Sequence, residues 1–320
     1  MLDTRAEFKL KVEAGRTYLV ELLVAAGGTN LTAQTRLEVA VTTGAKSANL
    51  PYIGRLPVSG QLVRRRVAFR TDEQTEVALA LRAVRPGTEG EGKNAKPSYA
   101  KAEASDAPLL VGDLVVAPIK FVGANLALDK GPAAKTQPLG NLECEVKPWT
   151  GGNSTIRWQP YPAPQEALRL TDGIIGNQDT MWTTAIKGPE IAYAEAVVKF
   201  KKSQTLSAVA VYEDNSGPIP AGAGVQEKTA MHYGVYVRHA KTGQWARVGY
   251  AVDNTDLVNV FTFPPVEADQ VRYFWAGRDY AGQTDGTVHA AEMEVYSAEE
   301  AGLNLDTLTA PADDGLKVDL

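Results

Sequence analysis

Oxygen donors gather densely in one stretch of this sequence. Asp172, Gly173, Asn177, Asp179 and Thr180 fall within a single short run. Carboxylates, an amide, a hydroxyl and backbone carbonyls turned inward at glycine form the ligand set of a hard cation such as Ca²⁺, which takes about 6–8 oxygens at once. A second constellation combines aromatic rings with polar groups. Trp149, Trp158 and Tyr161 lie in a run rich in Pro, Gly, Asn and Ser, and Glu213, Asp214 and Asn215 follow a strand-like run. His232 and Tyr233 open the next run, and Arg278, Asp279 and Tyr280 sit in the turn-rich segment AGRDYAGQTDG. Rings on loops beside charged donors and acceptors suit a sugar. A pyranose face buries its C–H groups on a π-system, and its vicinal hydroxyls take bidentate hydrogen bonds. Trp149 and Trp158 read equally as core residues or as platforms.

Other chemistries have less to work with. The three histidines, His232, His239 and His289, share no metal-ligand spacing, so zinc is not expected. Cys144 is the only cysteine, which excludes an intrachain disulfide and a cysteine-based zinc site, and it reads as an inert small residue. Glu292 and Glu294 are two apart and share a strand face, but 38 acidic residues make such pairs commonplace. There is no G-x-S-x-G elbow, P-loop, dinucleotide fingerprint or H-E-x-x-H. No catalytic residue is assigned, and the chain is not expected to be an enzyme.

These groups need a scaffold, and composition says what kind. A chain of 320 residues is long for one core and suits two domains. All five tryptophans and nine of the twelve tyrosines follow residue 145, a sorting that two domains of different character explain. A net charge of −5 argues against a nucleic-acid partner or an anionic membrane, either of which favours a basic surface. No apolar run approaches the roughly 20 residues of a membrane span, and MLDTRAEFKL has no signal-peptide core.

Period-two alternation runs through the first half. Phe8, Leu10 and Val12, then Tyr18, Val20 and Leu22, then Leu37, Val39 and Val41 alternate with polar residues. Leu62 to Phe69, Val77 to Leu81 and Leu109 to Ile119 continue the pattern, with Gly, Asn, Thr and Pro between them. Short β-branched runs of this kind predict a half-buried antiparallel sandwich. Tyr18 is expected in the core. Tyr52 and Tyr99 fall in turns, as platforms or as incidental exposed rings. Residues 87–106 read as a long loop. The triplet Arg64-Arg65-Arg66 reads as a solvated strand with a buried stem, or as a grip for an anionic sugar. In the second half, Val197–Phe200, Leu206–Tyr212, Tyr233–Val237, Val258–Phe263, Val271–Trp275 and Ala291–Tyr296 are strand-like. KTGQ at 241–244 is a hairpin signal.

The first half, over about residues 5–120, resembles jelly-roll carbohydrate-binding modules in the order of EAGRTYLVELLV, VRRRVAFRT, TEVALALRAV and VGDLVVAPI. The second half carries five ordered landmarks: Asn125 to Leu128, Asp172-Gly173 with Thr180-Met181-Trp182, Gly243 to Trp245, Val271-Arg272, and Ala291-Glu292. Together they resemble the discoidin or coagulation factor C-type domain, also found as galactose-oxidase-type carbohydrate-binding modules. The interval from Asp172 to Trp182 is longer than usual there, and 213–230 is a Gly- and Pro-rich insertion. The resemblance implies a structural calcium held by Asp172, Thr180 and Glu292, against the plainer expectation of an Asx-turn and a surface glutamate. It implies a sugar site using His232, Arg278 and Tyr280 on neighbouring loops, with Trp149 and Trp158 as further candidates. It also places Trp182, Trp245 and Trp275 in the core.

The fold class expected is all-β, with two antiparallel β-sandwich (jelly-roll) domains in tandem at 1–122 and 123–298, and a linker or tail at 299–320. The function expected is a non-catalytic glycan-binding fragment of a larger secreted polysaccharide-active protein. Its partners would be a polysaccharide and a covalently linked catalytic domain, at an extracellular or cell-surface location, with no nucleic acid and no transmembrane segment. The alternative is a cell-surface structural or adhesive protein that self-assembles through its sandwiches.

Overall fold

The computed structural model describes residues 5–26, 35–89, 96–101, 109–119, 124–128, 140–148, 170–176, 182–187, 192–213, 233–252, 254–276 and 285–297. It is built of antiparallel strands. The first eight are β1 (Arg5–Val12), β2 (Thr17–Ala26), β3 (Arg36–Thr43), β4 (Tyr52–Pro57), β5 (Val63–Arg70), β6 (Thr75–Glu89), β7 (Lys96–Lys101) and β8 (Leu109–Ile119). They form a five-stranded sheet, β1-β6-β3-β4 with β7 also on β6, and a three-stranded sheet, β5-β2-β8. Alternation decides which residues meet between them. Tyr18, Val20, Leu22 and Val24 of β2 and Val67 and Phe69 of β5 turn toward Leu37, Val39 and Val41 of β3 and Val77, Leu79 and Leu81 of β6. Tyr18 stacks on Phe69 with ring centroids 5.5 Å apart.

The later strands are β9 (Gly140–Pro148), β10 (Trp182–Lys187), β11 (Ala192–Glu213), β12 (Tyr233–His239), β13 (Trp245–Ala251), β14 (Val258–Ala276) and β15 (Asp285–Ser297). Their order is β10-β15-β11-β14-β12-β13, with β9 also on β11. β11 and β14 are long, and their mutual register shifts between Lys199 and Gln204. Before that break β11 pairs with β9, and after it with β15, so one hydrogen-bonded sheet wraps around its own core. That core includes Val209, Val211, Val235, Val237, Val271, Tyr273, Met293 and Val295.

A third cluster joins the two sandwiches. Leu19, Ala68 and Ile119 from the first pack with Ile175, Ala210, Tyr212, Val258 and Ala291 from the second. Leu257 enters the first core, and its N–H donates to the Arg66 carbonyl at 2.9 Å. The Arg66 N–H in turn donates to Asp256 at 3.1 Å.

Several expectations need correction. Residues 87–106 are not one long loop, because β6 runs to Glu89 and pairs with β7. Tyr52 is no platform: it lies on β4, buried in the first core. The runs at 197–200 and 206–212 belong to one strand, as do those at 258–263 and 271–275. Trp245 is half-buried but faces away from the second core, which its neighbours Ala246 and Val248 touch instead. Arg64 and Arg66 both pair with Glu21, at 3.2 and 2.8 Å, as a solvated strand with ion-paired side chains.

Candidate functional site

The site begins at the turn after Leu170. Gly173 has φ +83°, a conformation open to glycine, and a Cβ there would lie 2.9 Å from the Leu128 Cδ1. An Asp-Gly pair suits this turn because Asp172 Oδ1 accepts from the Ile174 N–H at 2.9 Å and closes it. The expected Asx-turn is therefore present. The expected surface glutamate is not. Glu292 on β15 is fully buried, and its Oε2 accepts from the Gly173 N–H at 3.1 Å.

The Asn125–Leu128 segment completes the junction. Asn125 Oδ1 accepts from the N–H groups of Ala127 and Val295, both at 3.0 Å. The Leu126 N–H donates to the Val295 carbonyl at 2.8 Å, so the segment is laid along β15. The Asn125 Nδ2 faces Glu292 Oε1 at 3.5 Å. Three landmarks separated by up to 167 residues thus meet at one point.

Charge at this point is unbalanced. Burial pushes the Glu292 carboxyl well above the usual carboxylate range, and the charges of Glu294 and Asp172 push it the same way. No cationic side chain makes a hydrogen bond or ion pair to Glu292 among the described residues. The two carboxylates, in a negative setting, fit a hard cation in donor chemistry, while the Asn125 amide oxygen is taken by two backbone N–H groups. No group of three His, Cys, Asp or Glu side chains converges among the described residues, so backbone carbonyls would have to supply much of any such shell. Thr180, the third expected ligand, lies outside the described residues. A cation held by Asp172 and Glu292 would neutralise the junction and lock the turn to β15.

Glu294, two residues on, is already satisfied. Its Oε2 accepts from the hydroxyls of Tyr212 at 2.7 Å and Tyr296 at 2.9 Å, and its Oε1 accepts from Arg70 Nη2 at 2.6 Å. Burial and the neighbouring Glu294 charge hold the Tyr212 hydroxyl well above its ordinary range. Burial opposes the Arg70 charge, but Glu294 outweighs it and raises the guanidinium pKa. Arg70 Nη1 also donates to the Gly173 carbonyl at 3.2 Å, and the Ile175 N–H donates to Asn49 Oδ1 at 2.8 Å. The first sandwich therefore holds the Asp172 turn from the other side. Sequence reasoning missed Arg70 and Asn49. The only signal they left was the end of one strand run and a turn.

The structure brings Asp172 and Glu292 together. His232, Arg278, Tyr280, Trp149 and Trp158 lie outside the described residues. His239 ends β12 and His289 lies on β15, strands that do not pair with each other.

No protein-family profile and no curated protein matches the sequence. Comparison with solved structures returns partial matches. The family 32 carbohydrate-binding module from Streptococcus pneumoniae EndoD is 13% identical, with a TM-score of 0.34, covering 50% of this chain and 98% of that one. Chitosan-binding module 1 from the chitosanase/glucanase of Paenibacillus sp. IK-5 is 21% identical, with a TM-score of 0.34, covering 55% and 100%. The family 32 module of Clostridium perfringens NanJ, solved in complex with galactose, is 21% identical, with a TM-score of 0.32, covering 49% and 94%.

Proposed function

We propose that this chain is a non-catalytic glycan-binding fragment of a larger extracellular polysaccharide-active protein, with its sugar site on loops of the second sandwich. The observation that supports the reading is the junction where three of the five sequence landmarks meet, Asn125, the Asp172-Gly173 turn and Glu292. Binding to a linked polysaccharide-degrading domain's substrate raises that domain's local concentration, an avidity effect that requires no chemistry from this chain. A structural Ca²⁺ at Asp172 and Glu292 belongs to the same reading. It would hold the turn to β15 and act on no substrate.

His232, Arg278 and Tyr280 are the proposed sugar contacts, with Trp149 and Trp158 as alternative platforms. The full chain on a glycan array identifies the ligand, and calorimetry then compares variants. Arg278→Ala and Tyr280→Ala should each weaken binding at least about tenfold, roughly 1.4 kcal/mol, with an unchanged melting temperature. Wild-type affinity in both variants would move the site to Trp149 and Trp158. Silence across the array would favour a structural or adhesive protein.

A further inference from the structure

The outer face of β12, β13 and β14 carries rings and guanidinium groups in register. Tyr236 lies between Arg247 on β13 and Arg272 on β14, all three on the side away from the core. The next row along the strands is Tyr250, Gly234 and Phe274. The Arg272 guanidinium carbon sits 4.4 Å from the Trp245 ring centroid, 4.7 Å from Tyr236 and 5.6 Å from Phe274. Tyr236 and Phe274 meet edge to face at 6.3 Å. One cation thus fixes three rings, a stronger arrangement than an isolated exposed pair. Gly234 is part of the same fit. A Cβ there would stand 2.7 Å from the Tyr236 ring, so its absence lets that ring lie down over the strand.

Beside this fixed floor one ring and one charge remain open. Tyr250 is 60% exposed, and the exposed Arg247 lies over its ring at 4.7 Å. No described carboxylate pairs with Arg247. Asp269 on β14 is taken by Arg238 in a two-point pair at 2.8 and 2.5 Å. In a chain of net charge −5, this face presents a guanidinium with no carboxylate partner among the described residues, next to an open aromatic ring.

We propose that this face binds an acidic saccharide, one sugar ring against Tyr250 and its carboxylate or sulfate on Arg247. A saccharide fits better than a protein partner, because among the described residues the exposed apolar surface on this face is a strip of Tyr250 with Val252 and not a broad patch. Because the floor is ordered beforehand, little conformational entropy is lost on binding. The inference shares its ligand class with the proposed function but not its site.

Affinity gel electrophoresis of the full chain tests it, with polygalacturonate, alginate or heparan sulfate in the gel and neutral galactan as control. Retardation is expected from at least one anionic polymer, weakening with added NaCl. It should fall at least tenfold in Arg247→Ala and in Tyr250→Ala, recover in part in Arg247→Lys, and persist in Arg278→Ala and Tyr280→Ala. No retardation by any of the three anionic polymers overturns the proposal. So does retardation lost only in the two loop variants, which leaves the loop site standing without this one. Loss in the sheet variants with no glycan effect in the loop variants does the reverse. Concentration-dependent self-association in sedimentation, abolished by Tyr250→Ala, would instead assign the face to a second copy and overturn the saccharide.

Discussion

Replacing Arg70 by Met keeps an aliphatic stem of similar length and removes the guanidinium. Four contacts go with it: Nη2 to Glu294 at 2.6 Å, Nη2 and Nε to Thr17 Oγ1 at 2.6 and 3.0 Å, and Nη1 to the Gly173 carbonyl at 3.2 Å. The Glu294 side chain is 1% exposed, so its charge cannot turn to water. Breaking one side of a buried pair generally costs about 3–5 kcal/mol, because a lone charge stays behind. Here the hydroxyls of Tyr212 and Tyr296 still donate to the carboxylate, which puts the expected loss at the lower end, about 3 kcal/mol. Glu294→Gln should cost less, since Arg70 keeps Thr17 and the Gly173 carbonyl. The double variant should recover part of the sum, with a coupling of about 1.5 kcal/mol or more across 224 residues of sequence. Urea denaturation of the full chain and its three variants, followed by tryptophan fluorescence, measures this. Additivity within about 0.5 kcal/mol, or Arg70→Met within about 1 kcal/mol of wild type, would refute the view that this pair holds the sandwiches together.

Two further predictions concern the same junction. Burial raises the Asp256 carboxyl to about 6, against the opposing pull of Arg66 and Arg65, so its protonated form is favoured in the folded state. Its stabilising contribution is present below about pH 4 and is lost as pH rises through about 6. The melting temperature should therefore fall between pH 4 and 7 by the equivalent of up to about 3 kcal/mol. Asp256→Asn, which can still accept from the Arg66 N–H, should flatten that slope; an unchanged slope rejects the assignment. For the cation, adding a chelator to the full chain should lower its melting temperature, since a ligand held only by the folded state stabilises it by about 2.7 kcal/mol at a hundred times its Kd. Asp172→Ala should abolish that shift, and identical melts with and without chelator would remove the metal.

Local order was legible wherever burial followed a clean period of two. Val20, Leu22 and Val24 or Leu37, Val39 and Val41 could only be strands with one dry face. Legibility failed where a strand changed partners. In β11 the polar run at 201–204 breaks the alternation, so one strand reads as two, yet that break is where it passes from β9 to β15. In β14 the Pro-Pro step at 264–265 has the same effect. β4 was hidden by prolines at both ends, although Tyr52, Gly54 and Leu56 alternate inward. Trp245 shows the opposite error. A large aromatic invites a core assignment, but Ala246 and Val248 supply the inward positions of β13, which leaves Trp245 and Arg247 outside.

The candidate cation junction was half legible, for a physical reason. Asp172 and Glu292 belong to local patterns, an Asp-Gly turn and an alternating strand run, that a single sequence displays. Arg70, Asn49 and Asp256 belong to none. Each is an ordinary polar residue at the end of a strand or in a turn, and its role exists only because the sandwiches meet there. An apolar interface leaves a trace in sequence as hydrophobic residues in excess of what one core can bury. Here the apolar part, Leu19, Ala68 and Ile119 against Ile175, Ala210, Tyr212, Val258 and Ala291, is accompanied by one buried ion pair, one amide and one half-buried carboxylate, and those polar contacts leave almost none. The Asp172 turn is held on one side by Glu292 of its own sheet and on the other by Arg70 and Asn49 of the first sandwich. The first sandwich is therefore part of the support of the Asp172 turn.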